Sequence, residues 1–258
     1  MLAHYGAAAR WPAGFAIYES GTVADGVFIV LRGEVVLRSR VKAGRGFVPT
    51  IVTPGGTFGA EGLFDGGYYR TDARAECEVE TLHLSAPHFR ALVRERPQHA
   101  FSLIGQILRE RSELLQRLGE LAALSVEQRL VNAVLRLSVA RASLGETIEV
   151  APAAGRGLRR ANGVGSFPAP PPAADADPHS QPLDLDANRY RLLCEMVGAT
   201  RESVSLVMAR LVAEGSAERD GNGGTIRIPS PRALLRRGRG LHERSRSITV
   251  EREPELTP

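Results

Sequence analysis

Arginine and glutamate at the start of a helix can read the edges of base pairs, and this sequence places Arg201 and Glu202 at such a position. Arg189 to Val197 has the apolar period of a helix, Gly198-Ala-Thr200 makes a tight turn in which Thr200 can cap the next helix, and Arg201 to Glu214 is that second helix, whose Val204, Val207, Met208 and Leu211 face inward. Gly198 supplies the positive φ that the turn needs. The pattern is that of a helix-turn-helix, in which the N-terminal end of the second helix enters the major groove. Arginine can donate two hydrogen bonds to guanine O6 and N7, glutamate can accept one from cytosine N4, and a good bidentate contact discriminates by roughly 1–3 kcal/mol. The candidate contact set is Thr200, Arg201, Glu202, Ser203, Ser205 and Arg210. Beyond Gly215, Glu218 to Ile228 with Asp220-Gly-Asn-Gly-Gly224 at its middle reads as a β-hairpin that would supply a wing. For this unit taken alone, an antiparallel helix pair within a larger core is the alternative.

Other chemistry finds little support. His4, His83, His88, His99, His179 and His242 show no HxxxH or HExxH spacing, and Cys77 and Cys194 form neither a CxxC pair nor a ligand cluster. The expectation is two reduced, buried thiols and no metal site. No GxxxxGK[ST], GxSxG or paired-carboxylate arrangement supports an enzyme.

The elements that must position the reading residues follow from patterning. A hydrophobic fraction of 43% with 24% charged residues over 258 positions is an ordinary globular balance. The longest apolar stretches, such as Val27 to Leu31 and Val131 to Leu137, fall far short of the roughly 18 residues a membrane span needs. Nothing at the N-terminus marks secretion, so a cytoplasmic location is expected. Charge is uneven: Ala187 to Arg246 holds twelve arginines against six acidic residues, whereas the whole chain carries only +4, and its one lysine is Lys42. That basic excess suits a polyanionic partner.

From Phe15 to Leu84 the chain reads as short strands, Val27 to Leu31, Glu34 to Arg38, Val48 to Val52 and Glu78 to Leu84, punctuated by glycines in the rhythm of a small antiparallel barrel or roll. From Pro87 the period changes. Between Pro97 and Leu124, Ile104, Ile107, Leu108, Leu114, Leu115, Leu118, Leu121 and Ala122 recur at mostly three- and four-residue steps, with Arg109, Glu110, Glu113, Arg117 and Glu120 outside that stripe. Such a seam needs a partner, and a second copy of the helix is the simplest one; packing on the chain's own β-roll is the alternative. A second helix runs from Val126 to about Ala142, with Ser125 and Gln128 as a capping box and Gly145 just beyond its end. Ala151 to Pro182, including Pro168-Ala-Pro-Pro-Pro172, reads as a flexible insertion, and the tail from Pro231, with Arg232, Arg236, Arg237, Arg239, Arg244 and Arg246, as disordered. The expected fold class is α+β: a β-roll over 1–86, helices over 87–145, a linker over 146–186, a winged helix-turn-helix over 187–229 and a tail over 230–258.

From about Phe15 to Ile228 the chain is similar to the catabolite activator and fumarate-nitrate regulator (CRP/FNR) family. The residues that carry the resemblance are Gly33-Glu34-Val35, Pro54-Gly-Gly-Thr-Phe-Gly59, Leu63-Phe64 followed by Arg70-Thr71, Leu121 to Leu124, and Val197-Gly-Ala-Thr-Arg-Glu-Ser-Val204. The resemblance implies a homodimer with seam residues Ile104, Ile107, Leu108, Leu114, Leu115, Leu118 and Leu121. It further implies two reading helices one DNA turn apart on a near-palindromic double-stranded site, contact with RNA polymerase, and an effector pocket of the cyclic-nucleotide type at Gly59, Glu61, Arg70 and Thr71. The chain departs from the family in several places. Leu206 stands where a basic residue is usual, which leaves Arg210, one turn on, to reach phosphate. The connection at 151–182 is longer than usual, and the N-terminal cysteines of the iron–sulfur branch are missing before Cys77. Arg70 and Thr71 match the phosphate-binding pair, but Ala60 occupies the position of the ribose carboxylate, with Glu61 one residue out of register. Leu114 and Leu115 replace the two hydroxyl residues that meet adenine. Each unpaired buried polar group costs roughly 1–3 kcal/mol, so cyclic AMP is not expected to be the activator. Tyr68 and Tyr69 either fill part of that pocket or are ordinary loop tyrosines. The function read from all this is a dimeric sequence-specific DNA-binding regulator, with a nucleotide-sensing protein-interaction module as the alternative.

Overall fold

The computed structural model describes residues 6–40, 46–63, 67–144, 177–220 and 224–235. The chain divides into two compact units, residues 1–118 with 140–175 and residues 119–139 with 176–258. The architecture is α+β, as the patterning implies.

In the first unit, eight short strands form two four-stranded antiparallel sheets. One has the order β1 (Ala7–Trp11), β8 (Val79–Ser85), β3 (Gly26–Arg32), β6 (Thr57–Phe58); the other has β2 (Ala16–Tyr18), β7 (Asp72–Ala75), β4 (Val35–Arg40), β5 (Gly46–Val52). The unbroken apolar run of β3 has a simple cause. Alternate side chains point to opposite faces, and both faces are covered. Phe28 and Val30 join Tyr18, Val35, Val52, Phe58 and Tyr69 in a core shared by both sheets, while Val27, Ile29 and Leu31 pack with Leu82, Leu84 and Leu92 of α1 (Ala86–Glu95). The sequence reading placed the roll at 1–86 but named strands only from Phe15 onward, and so missed β1. Ala7-Ala-Ala-Arg-Trp11 has no apolar alternation, and the strand exists because it pairs with β8 in register from Ala7↔His83 to Trp11↔Val79.

The long helix α2 (Gln98–Ala123) lies within a residue of its expected bounds. Its facing is unusual. Buried positions are His99, Leu103 and Arg117, whereas Phe101, Ile104, Ile107, Leu108, Leu114, Leu115 and Leu118 are exposed. The chain's own roll therefore leaves most of this apolar stripe uncovered. Arg117, read as lying on the polar side, is buried at 7% exposure.

In the second unit, α3 (Val126–Ser143) opens with the expected capping box: Ser125 N donates to Gln128 Oε1 at 2.9 Å, and Gln128 N donates to Ser125 Oγ at 3.3 Å. Then come β9 (Leu183–Leu185), α4 (Ala187–Val197), α5 (Arg201–Ala213), β10 (Glu218–Arg219) and β11 (Ile226–Ile228), with sheet order β10-β11-β9. Two boundaries need correction. Residues 177–186, assigned to the flexible linker, contain a 3-10 turn at Pro178–Ser180, the buried strand β9 paired to β11, and Asp186 capping α4 through Arg189 N at 2.8 Å. Three residues are too few to show a period. Residues 231–235, assigned to the disordered tail, form a helical turn with Leu234 buried, Ser230 Oγ accepting from Ala233 N, and Arg232 paired with Asp177 at 2.9 Å. The rest of the expected insertion (145–176), the arginine-rich tail from 236, the hairpin tip at 221–223, Phe64, Lys42, His4 and His242 lie outside the described residues. No helix among the described residues is long and apolar enough to cross a membrane.

Candidate nucleic-acid interface

The turn between α4 and α5 is fixed from several sides. Gly198 has φ 62° and ψ 36°, and its N–H bonds back to Cys194 O and Glu195 O, both at 3.3 Å. A Cβ there would stand 3.0 Å from Leu121 Cδ2, so glycine answers both the conformation and the close approach. Leu121 is therefore placed apart from the other expected seam residues: it is half-buried beside this turn. Thr200 caps α5, its Oγ1 accepting from Ser203 N at 3.3 Å and lying 3.0 Å from Ser203 Oγ. Val204, Met208 and Leu211 are fully buried, as expected, and Val207 is half-buried.

Two contacts from the first turn of α3 brace the helix pair. Arg129 Nη1 donates to Val197 O at 3.0 Å and to Gly198 O at 3.4 Å, placing a cation against carbonyls that the end of α4 leaves without intrahelical partners. Arg210 Nη1 donates to Glu127 Oε2 at 3.2 Å, the carboxylate side chain being 10% exposed and the guanidinium side chain 60%. Sequence reasoning missed Arg129 and Glu127. They lie 68 and 83 residues from their partners, and no local pattern couples such positions.

The six candidate contact residues thus separate. Arg201 and Glu202 stand exposed at the N-terminal end of α5, where the helix dipole is positive. The hydroxyls of Thr200 and Ser203 serve the cap, and Ser205 Oγ shares a 3.1 Å hydrogen bond with Tyr190 OH. Arg210, expected to reach phosphate, has a side chain 60% exposed and pairs with Glu127. The hairpin expected after Gly215 is present as β10 and β11, with Asp220 N donating to Thr225 O at 3.0 Å and Arg219 exposed on it.

In the first unit, the residues expected to form an effector pocket meet an aromatic cluster. Gly59 has φ +74°, and a Cβ there would lie 3.0 Å from Tyr69 Cε1 and 3.3 Å from both Phe28 Cδ2 and Tyr18 Cε1. Tyr18 and Tyr69 stack at 3.7 Å between centroids, and Phe28 stacks on Phe58 at 5.1 Å. Tyr69 OH donates to Asp25 Oδ1 at 2.9 Å, and the Tyr18 hydroxyl shares a hydrogen bond with the Thr71 side chain. Burial pushes both phenols well above their ordinary range. The two readings of the tyrosine pair divide, since Tyr69 is buried and Tyr68 is 51% exposed. Glu61 is half-buried and its charge acts on Tyr18 and Glu110, whereas Arg70 is exposed. The carboxyl of Glu110 is pushed up to about 7, first by burial and then by Glu113 and Glu61, with Arg109 opposing. Ala60, Leu114 and Leu115 supply no polar side-chain group, and Gly59 lies against the buried rings of Tyr69, Phe28 and Tyr18. Cys77 and Cys194 are in no disulfide and are half-buried rather than buried as expected, and among the described residues no group of three or more His, Cys, Asp or Glu is arranged to hold a metal ion.

Two family models match this chain: residues 9–96 fit the cyclic nucleotide-binding domain and residues 175–237 the Crp-like helix-turn-helix domain, together more than half of the sequence. Among curated proteins, the chain is similar to the cAMP-activated global transcriptional regulator CRP of Pasteurella multocida, at 25% identity over 132 residues, covering 50% of this chain and 62% of that protein. It is likewise similar to a CRP-like cAMP-activated global transcriptional regulator of Mycobacterium tuberculosis, at 25% over 128 residues, covering 50% and 57%. The chain spans about three-fifths of the length of the curated relatives it matches. Among solved structures, the c-di-GMP responsive global regulator CLP of Xanthomonas campestris has a TM-score of 0.64 at 19% identity, covering 87% of this chain and 94% of that one. A CRP/FNR-family transcriptional regulator from Thermus thermophilus has a TM-score of 0.62 at 22% identity, covering 89% and 97%. These structures share the fold.

Proposed function

The chain belongs to the CRP/FNR family of transcription regulators, and from that premise we propose that it is a homodimeric, sequence-specific DNA-binding regulator whose competence does not require cyclic AMP. The observation that carries the proposal is the exposed Arg201-Glu202 pair at the capped N-terminus of α5, braced through Arg129 and Glu127. The bracing fixes the turn before α5 and the body of the helix, so the reading end needs no ordering of its backbone before side chains meet base edges. The basic excess of Ala187 to Arg246 supplies the phosphate attraction. The exposed stripe from Ile104 to Leu118 is the face that a second copy would cover, setting two reading helices about one DNA turn apart on a near-palindromic duplex. RNA polymerase is the further partner this role requires, the cytoplasm is where both are met, and no catalytic step is assigned.

Independence from cyclic AMP is supported by the aromatic cluster over Gly59 and by the missing polar partners at Ala60, Leu114 and Leu115. The test is selection from random duplexes by the full chain in nucleotide-free buffer, with calorimetric titration of cyclic AMP beside it. Two inverted half-sites about 10 base pairs apart and no heat of binding are expected. No enriched site would favour a protein-docking module, and micromolar nucleotide binding with a large gain in DNA affinity would overturn the independence from cyclic AMP.

A further inference from the structure

The burial pattern of α5 leaves Arg201, Glu202, Ser205, Leu206, Ala209 and Arg210 on one exposed stripe, opposite the buried Val204, Met208 and Leu211. Five of these are charged, hydroxylated or small. Leu206 is none of them, and it is 73% exposed, a level close to that of Phe101 at 74% on the apolar seam of α2. A single exposed leucine ordinarily needs no explanation. This one lies four residues after Glu202, on the same helical face and about 6 Å further along the axis.

We propose that Leu206 is a specificity-determining residue that reads the C5-methyl group of a thymine in the major groove; this rests on the proposed DNA-reading role of α5. A leucine offers no donor or acceptor, so against guanine, cytosine or the amino edge of adenine it would leave polar base groups without partners. Thymine is the base whose major-groove edge carries an apolar group. The position fits that occupant. Ser205 beside it is engaged with Tyr190 and Ala209 one turn on is small, so neither competes for the same space. With Glu202 set to accept from a cytosine, an axial offset of about 6 Å corresponds to a thymine one to two base-pair steps away, the bases of one strand being about 3.4 Å apart.

Replacing thymine by deoxyuridine removes only the methyl group and tests this directly. On the enriched duplex, one symmetric pair of thymines within two steps of the bases read by Arg201 and Glu202 should show the effect. The uracil duplex should bind the full chain about fourfold more weakly for each half-site, and about tenfold or more for both. Leu206→Ala should bind thymine and uracil duplexes alike while keeping the wild-type melting temperature, because the side chain lies largely in solvent. If the enriched site is insensitive to every thymine-to-uracil change, or if the sensitivity persists in Leu206→Ala, the assignment is wrong although the DNA-reading role stands. If no site is enriched at all, the DNA-reading role fails and this inference fails with it.

Discussion

The helices α2 and α5 face in opposite senses. α5 buries Val204, Met208 and Leu211 and shows Arg201, Glu202 and Arg210 to solvent, whereas α2 buries His99, Leu103 and Arg117 and shows Phe101, Ile104, Ile107, Leu108, Leu114, Leu115 and Leu118. Both are amphipathic, yet only α5 has its apolar side completed by its own chain. Fully burying a leucine or methionine contributes roughly 1.5–3 kcal/mol, so α5 has already gained most of what its apolar face can give. The row of apolar residues on α2 is still open to that gain from an outside surface of matching chemistry. The open face of α5 carries charged and hydroxyl groups around Leu206 and suits the edges of base pairs; the open face of α2 suits a second α2.

The largest effect should come from charging the open face of α2. Leu118→Arg would set two unpaired cations into the seam between copies, and burying unpaired charge costs several kcal/mol. Dimer dissociation should rise by about a hundredfold or more in sedimentation, with a matching fall in affinity for a two-half-site duplex. A variant that still sediments as a dimer would show that another surface joins the copies.

Next in size is Arg201→Ala on the open face of α5. Discrimination between selected and scrambled duplexes should drop by roughly 1–3 kcal/mol for each copy, while the slope of affinity against salt changes little, because phosphate contacts remain. Equal losses on both duplexes would reduce Arg201 to one phosphate contact among several.

The smallest effect concerns the inward side of α2. Glu110, whose carboxyl is ordinarily near 4.5, is pushed up to about 7 by burial and by Glu113 and Glu61, so the folded chain favours its neutral form. Its contribution to stability is complete below the ordinary value and is lost as pH rises through about 7. Glu110→Gln should flatten the decline in melting temperature between about pH 5 and about pH 8 by a few degrees at most, since the group is only partly buried. Parallel profiles for the two proteins would show that Glu110 does not titrate in this range.

Long, strongly periodic elements were legible in the sequence. The bounds of α2, the capping box of α3, the turn at Gly198 and the cap at Thr200 all follow from local rules, and the structure has each of them. What was not legible depends on partners distant in sequence. β1 and β9 are strands because β8 and β11 pair with them, and neither Ala7–Trp11 nor Leu183–Leu185 carries a period of its own. Arg210 has the look of a phosphate ligand in the sequence, and only the fold sets Glu127 beside it; Arg129 likewise carries no local sign that it grips Val197 O. Tyr69 shows the same limit, since adjacent tyrosines of identical local character are separated by whether Tyr18 stacks on one of them.

The most direct test of the DNA-reading role is the affinity of the full chain for its selected duplex and for a scrambled one, measured by fluorescence anisotropy across salt concentrations in nucleotide-free buffer and again with cyclic AMP. The expected result is a straight fall of log affinity with log salt on both duplexes. The selected site should be bound at least about a thousandfold more tightly at physiological salt, with no change on adding the nucleotide. Equal affinity for the two duplexes would contradict sequence-specific reading, and preference appearing only with cyclic AMP would contradict the constitutive competence proposed for the roll.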